Sequence, residues 1–209
     1  MKIYTGGSGG EKLEKLEKYN LGIMISSTNR LPGEVFKNYK CALDNGAFSA
    51  FKKGYPFNEY KFYKTLDRCI DLEIKLDFIT TPDIVAGGIK SLEFSLMWAD
   101  RLQPYKYLAL VVQDGMHEKD LTPDILERFS HIFIGGSRAW KWDTASRWID
   151  FTHNHGKLLH IGQCGTIGFL QRAAELGADS CDSTSFAVNQ SWHILDEFYN
   201  PTQQKLFKA

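Results

Sequence analysis

Short apolar, β-branched runs alternate with longer stretches of helical spacing along the whole chain. The runs are KIYT near the start, GIMISS at 22–27, CALD at 41–44, LDFITT at 76–81, YLALVVQ at 107–113, HIFIGG at 131–136, LLHIG at 158–162 and the short DSCDS at 179–183. Each is too short for a helix and is bounded by Gly, Pro, Asn or Asp, which predicts eight strands. Between them apolar residues recur at intervals of three or four, the mark of a helix with one buried face. The sets are Tyr60, Tyr63, Leu66, Cys69 and Ile70; Leu92, Leu96, Ala99 and Leu102; Trp148, Ile149 and Thr152; and Phe169, Leu170, Ala173 and Leu176. Thr122-Pro123-Asp124 sets a candidate N-cap before a proline at the first helical position. Gly156 and Gly177 fall just past two helix ends, where a left-handed residue is wanted. The link between 27 and 41 shows no helix, and its Pro32-Gly33 reads as a turn. The run Glu11-Lys12-Leu13-Glu14-Lys15-Leu16-Glu17-Lys18 mixes signs and reads as a surface helix.

Eight strands joined by mostly helical crossovers predict a parallel sheet, and eight is the number that closes a (β/α)₈ barrel of the TIM type. A doubly wound open sheet is the rival, because strand order is not written in a sequence. At 209 residues the chain is short for a barrel, so a compact single domain over 1–209 is expected.

Composition narrows the function classes. Twenty-five Lys and Arg against 25 Asp and Glu give zero formal charge, which argues against a strongly basic nucleic-acid binder but leaves room for a local patch. A hydrophobic share of 43% excludes a disordered chain. No apolar run approaches the roughly 18 residues of a membrane helix. The start, MKIYTGGSGGEKLEKL, has no apolar h-region, so a cytoplasmic protein with no membrane partner is expected. Cys41, Cys69, Cys164 and Cys181 form no C-x-x-C pair and read as reduced, buried thiols; no metal and no cofactor is expected. Of the six histidines, His117 and His193 read as surface residues, His153 and His155 as a helix end, His131 as remote from the chemistry and His160 as a satisfied core residue.

In a barrel the chemistry sits at the carboxyl ends of the strands. Those ends read Asp44-Asn45-Gly46, Pro82-Asp83, Gln113-Asp114-Gly115, Gly135-Gly136-Ser137 and Gly162-Gln163-Cys164-Gly165, with Asp179 and Asp182 on the last strand. Each alone is commonly a turn residue or a cap; together they point to one mouth. Two carboxylates in a polar pocket can break a glycosidic bond, one attacking the anomeric carbon and the other handling protons. An Asp and a Gln together can read a purine edge. Paired glycines let backbone N–H groups approach a flat ligand. No lysine falls at a strand end, which argues against a Schiff-base aldolase.

The string HIGQCGTIGFLQRAAELGADSCDSTSF (160–186) resembles the core of the tRNA-guanine transglycosylases, where a Gly-rich strand end, a helix and a G-x-D-x-x-D segment recur. In the same order, LDNGAFSAF (43–51) is similar to the family's D-S-G-G-F segment, and LDFITTPDIV (76–85) to the segment with its base-binding aspartate. ALVVQDG (109–115) is similar to its I-V-Q-G-G strand, and IFIGGS (132–137) to the strand ending in paired glycines. The likeness spans roughly residues 40–190 and implies a (β/α)₈ fold and pentosyltransferase chemistry. By that resemblance Asp182 is the nucleophile that attacks C1′ and releases guanine, and Asp44 is the general acid/base. Asp83 and Gln113 bind the base edge, Gly135 and Gly136 offer N–H groups to its carbonyl, and Phe48 stacks on it.

The family's C-x-C-x-x-C…H zinc segment is missing, and Ser183-Thr184-Ser185-Phe186 replaces its P-T-R stretch. The chain therefore looks more like the short, zinc-free, DNA-directed branch of phages and bacterial DNA-modification clusters, which inserts 7-deazaguanines such as preQ0. The implied partners are DNA, single-stranded or with its base flipped, the free 7-deazaguanine base, and helper proteins that open a duplex. Lys52, Lys53, Arg138 and Lys141 are the candidate phosphate contacts, and Trp140 and Trp142 the candidate stacking rings. Three alternatives stay open: the same exchange on tRNA or another RNA, a phosphosugar enzyme holding phosphate on the glycines after strands six and seven, and an idle purine-binding module.

Overall fold

In a computed structural model, which describes residues 1–6 and 12–200, all eight runs form strands. They are β1 (Lys2–Thr5), β2 (Gly22–Ser26), β3 (Cys41–Asp44), β4 (Leu76–Thr80), β5 (Leu108–Val112), β6 (His131–Ile134), β7 (Leu158–Ile161) and β8 (Ser180–Asp182). Every strand pairs with its chain neighbour in parallel, and β8 closes on β1 through Lys2↔Ser180, Ile3↔Cys181 and Tyr4↔Asp182. The sheet is thus a closed (β/α)₈ barrel of the TIM type and not an open doubly wound sheet.

The helices are α1 (Leu13–Lys18), α2 (Ala47–Lys52), α3 (Glu59–Asp71), α4 (Ile89–Arg101), α5 (Pro123–Glu127), α6 (Arg138–Asn154), α7 (Ile167–Glu175), α8 (Ser185–Val188) and α9 (His193–Tyr199). The apolar spacing read for α4, α6 and α7 falls on their buried faces, and that for α3 does so only in part. There Phe62, Thr65, Leu66 and Cys69 are buried, while Tyr60 and Ile70 stand in solvent. The link after β2 is also not free of helix, because Glu34–Asn38 forms a short 3₁₀ turn, and the backbone reversal falls at Ser26–Asn29 instead of Pro32-Gly33. The mixed-charge run folds as α1, with Leu16 buried; Glu11 lies outside the described residues. Thr122 caps α5 by position, without a side-chain hydrogen bond. Gly156 and Gly177 take positive φ, 65° and 87°, as their places past helix ends require.

Two cores result from the period of two along each strand. Tyr4, Met24, Ala42, Phe78 and Ala109 point into the barrel, with Phe133 packed against them. Their neighbours Ile3, Ile23, Leu43, Ile79 and Leu110 point outward into the larger layer under the helices. All four cysteines are buried. No helix among the described residues is long and apolar enough to cross a membrane.

Candidate active site

The carboxyl ends of the strands open into a cavity of about 890 Å³. Parity decides what reaches it: the position after each inward core residue, two along, faces the mouth. Ala42 is followed by Asp44, Phe78 by Thr80, and Ser180 by Asp182. Asp44, Asp83, Gln113, Gly135, Gly136, Phe48 and Asp182 all line this space.

Asp44 Oδ2 accepts from the Ser26 hydroxyl and from the Gly46 N–H, both at 3.1 Å. Burial, and next the charge of Asp182, outweigh those donors and push the Asp44 carboxyl up to about 7. Asp182 is held differently. Its Oδ1 lies 3.1 Å from His160 Nε2 and accepts from the Gln163 N–H at 3.3 Å. One carboxyl is thus poised to carry a proton near neutrality while its neighbour across the cavity is fixed by donors.

A second polar cluster faces the β4–β5 side. Asn45 donates from Nδ2 to Asp83 Oδ1 (2.8 Å) and to the Thr81 carbonyl (2.7 Å), and its own carbonyl accepts from the Ala47 N–H (2.7 Å). Gln113 Nε2 donates to Asp83 Oδ2 (3.2 Å) and to Ser91 Oγ (2.7 Å). Both amide hydrogens of Gln113 are therefore spent, and it presents its carbonyl as an acceptor. Asp83 is buried, which lifts its carboxyl to about 6 against the hydrogen bonds from Asn45 and Gln113. Gly136 sits at φ +73°, and a Cβ there would meet Asp114 Oδ2 at 2.6 Å. Among the described residues its N–H has no hydrogen-bond partner, so it can donate to a ligand.

Several sequence expectations need correction. The Gly135 N–H donates to the Val112 carbonyl at 2.9 Å as part of the ladder, so it is not free for a ligand. Lys141 is not a surface cation: it is 4% exposed, and its Nζ donates to the Gly162 carbonyl on the cavity wall. Burial holds its amine below the usual lysine range. Lys53 stands exposed at the end of α2, outside the wall, whereas Lys52 and Arg138 line it. Trp142 is buried and stacks on Phe169 at 5.0 Å, and Trp140 packs near Trp148, so neither ring is offered to a base. Asp179 precedes β8 at the opposite end of the barrel, bonded to His153 and to the Leu159 N–H.

The rim is aromatic. Phe48 and Phe51, 42% and 55% exposed, project from α2 beside the cavity, and Lys52 Nζ lies 5.5 Å from the Phe48 ring centre. Arg138 lies over Phe169 at 5.4 Å on the other side.

Two members of this site, Gln163 and Thr80, and one residue behind it were not read from the sequence in these places. His160 is the satisfied core residue expected, fully buried with both ring nitrogens partnered; what the sequence did not show is that the partners are Ser180 Oγ (2.9 Å) and Asp182. Its signal was there in part, since it stands two residues before Gly162 and so faces inward. Gln163 adopts φ +66° to aim its N–H at Asp182, a conformation nothing in its identity announces. Thr80 lines the cavity with a buried hydroxyl that has no partner among the described residues.

This arrangement can perform nucleophilic displacement with proton transfer at a carbon held beside a flat, hydrogen-bonding ring. Among the described residues no group of three or more His, Cys, Asp or Glu is placed to hold a metal ion. Compared with models of known protein families and with curated proteins, the chain matches none of them.

Proposed function

We propose that this cavity exchanges guanine in DNA for a 7-deazaguanine such as preQ0, through a covalent ester between Asp182 and C1′ of the deoxyribose. The observation that carries the reading is the pair of unlike carboxylates, Asp44 near 7 and Asp182 held by two donors, beside the purine-matched edge of Asp83, Gln113 and Gly136. In the first displacement an Asp182 oxygen bonds to C1′ as the C1′–N9 bond breaks. The electron pair leaves with guanine, which takes a proton from Asp44. The incoming base then attacks C1′ through N9 and gives its proton back to Asp44, and the ester electron pair returns to Asp182. Asp83 and the Gln113 carbonyl accept from the N–H groups of the purine edge, and the Gly136 N–H donates to its carbonyl.

The substrate strand is unpaired at the target. Lys52 and Arg138 are the exposed cations in the wall, too few for a duplex footprint, while Phe48 and Phe51 offer stacking surface. The phosphosugar reading is opposed by Asp114, whose carboxylate already accepts from the Ser137 N–H (2.6 Å) and hydroxyl (2.6 Å) at the start of α6. A phosphate at that helix end would meet a fixed negative charge.

The test is incubation of the purified chain with guanine-containing DNA and preQ0, followed by nucleoside mass spectrometry. A deoxy-preQ0 signal that Asp182→Asn abolishes supports the reading. Incorporation into tRNA and not into DNA moves the same chemistry to RNA, and no incorporation into single-stranded DNA, duplex DNA or tRNA removes it.

A further inference from the structure

Directly beneath Asp182 lies a buried imidazole that takes no direct part in the proposed exchange. His160 is fully buried inside the barrel, its ring tilted against Phe133 at 4.5 Å and Phe78 at 5.3 Å. Its two nitrogens have unlike partners: Nδ1 lies 2.9 Å from Ser180 Oγ and Nε2 lies 3.1 Å from Asp182 Oδ1. An ionised carboxylate accepts and does not donate, so the proton belongs on Nε2. Nδ1 is then an acceptor and the Ser180 hydroxyl donates to it. The other tautomer would set a ring lone pair against a carboxylate oxygen in an apolar interior, which is unfavourable.

The same Oδ1 also accepts from the Gln163 N–H. Both donors thus converge on one oxygen, and Oδ2 has no hydrogen-bond partner among the described residues. The Asp182 side chain is 15% exposed, open to the cavity. We propose that His160, locked in its Nε2–H form by Ser180, is a positioning residue that holds Asp182 by Oδ1 and presents Oδ2 as the attacking atom. That Oδ2 attacks, and which carbon it attacks, rest on the transglycosylase reading; the tautomer and the clamp on Oδ1 do not. In the first step Oδ2 bonds to C1′ as the C1′–N9 electron pair leaves with the base, and Oδ1 becomes the ester carbonyl. When the second base attacks, the Oδ2–C1′ pair returns to the carboxylate, and the two donors on Oδ1 favour that return because they bind an anion more strongly than an ester.

Two measurements on the full chain test this. In ¹⁵N-histidine-labelled protein, His160 is expected as the Nε2–H tautomer, with that resonance moved by Asp182→Asn. An Nδ1–H tautomer, or a resonance indifferent to Asp182→Asn, overturns the proposal whether or not the chain exchanges bases. The second measurement compares variants. His160→Gln keeps an N–H near the Nε2 position, whereas the shorter His160→Asn reaches Ser180 and not Asp182. His160→Asn is expected to lose about 10²-fold in kcat with KM unchanged, the usual scale for a reacting group displaced by about 1 Å. His160→Gln is expected to recover most of that loss at a similar melting temperature. Equal loss in both variants would reduce His160 to packing. A wild-type chain inactive on every nucleic acid, with the tautomer as expected, would remove the base-exchange reading and leave the clamp on Asp182 standing.

Discussion

At the amino-terminal floor of the barrel, Asp77 accepts from Lys2 Nζ at 2.9 Å and from the Tyr4 hydroxyl at 2.7 Å. At the mouth, Asp44, Asp83 and Asp182 share one cavity, and the buried cation near them, Lys141, donates to a backbone carbonyl instead. The two ends treat their ionisable groups oppositely. At the floor the Tyr4 phenol and the His131 imidazole are both held far from neutrality. Burial, and then Asp77, push the Tyr4 phenol far up, and burial, with the nearby His160, pushes His131 down to about 4. The mouth leaves two carboxyls, near 7 and near 6, where a small change in surroundings moves a proton. Carboxyls held near neutrality in a cleft mark the mouth, and not the floor, as the candidate site.

The largest way to break the contrast is Asp182→Asn, expected to lower base exchange by at least about 10³-fold while leaving the melting temperature nearly unchanged. Asp83→Asn comes next. Its new amide would face the N–H groups of Asn45 and Gln113, so calorimetric affinity for preQ0 should fall roughly 10- to 100-fold. Asp44→Asn tests the poise itself. Between about pH 4 and pH 7 the folded chain keeps on Asp44 a proton that the unfolded chain releases, so stability falls as pH rises through that window. The Asn variant should remove the slope, gaining on the order of 4 kcal/mol at pH 8 and nothing at pH 4 in urea melts. A variant less stable than wild type at pH 8 would contradict this.

His131 carries the opposite sign. From about pH 6.5 down to about 4 the unfolded chain gains a proton that the folded chain refuses, so stability is lost toward acid. Exchanging it for Gln should flatten the acid limb by about 3 kcal/mol without touching base exchange. The smallest effect is expected at the rim. Phe48→Ala should raise KM for the DNA strand about fivefold through lost stacking, with kcat kept and binding only weakly dependent on salt.

Much of this molecule was legible before any coordinates. Each strand is a local apolar run between breakers, and the spacing read for α4, α6 and α7 falls on their buried faces. For α3, Tyr60 and Ile70 fit the period numerically but lie at the edges of the stripe, where the neighbouring helix decides what is covered. The candidate site divides the same way. Asp44, Asp83 and Gln113 follow strand ends and so reach the mouth in any barrel. Asp179 shows the limit: it lies three residues before Asp182, and one short strand, rising about 3.3 Å per residue, carries the two to opposite ends.

The sequence by itself determined eight strands, most of the helical crossovers and the set of polar residues at strand ends, because all of these follow from local backbone geometry and the period of side chains along it. Tertiary structure alone decided closure into a barrel, the burial of Lys141, the commitment of the Gly135 N–H to Val112 and the meeting of His160 with Asp182. Each of those depends on the register between neighbouring strands or the docking of a helix over them, and register is set by packing across the whole barrel, not by any segment read alone.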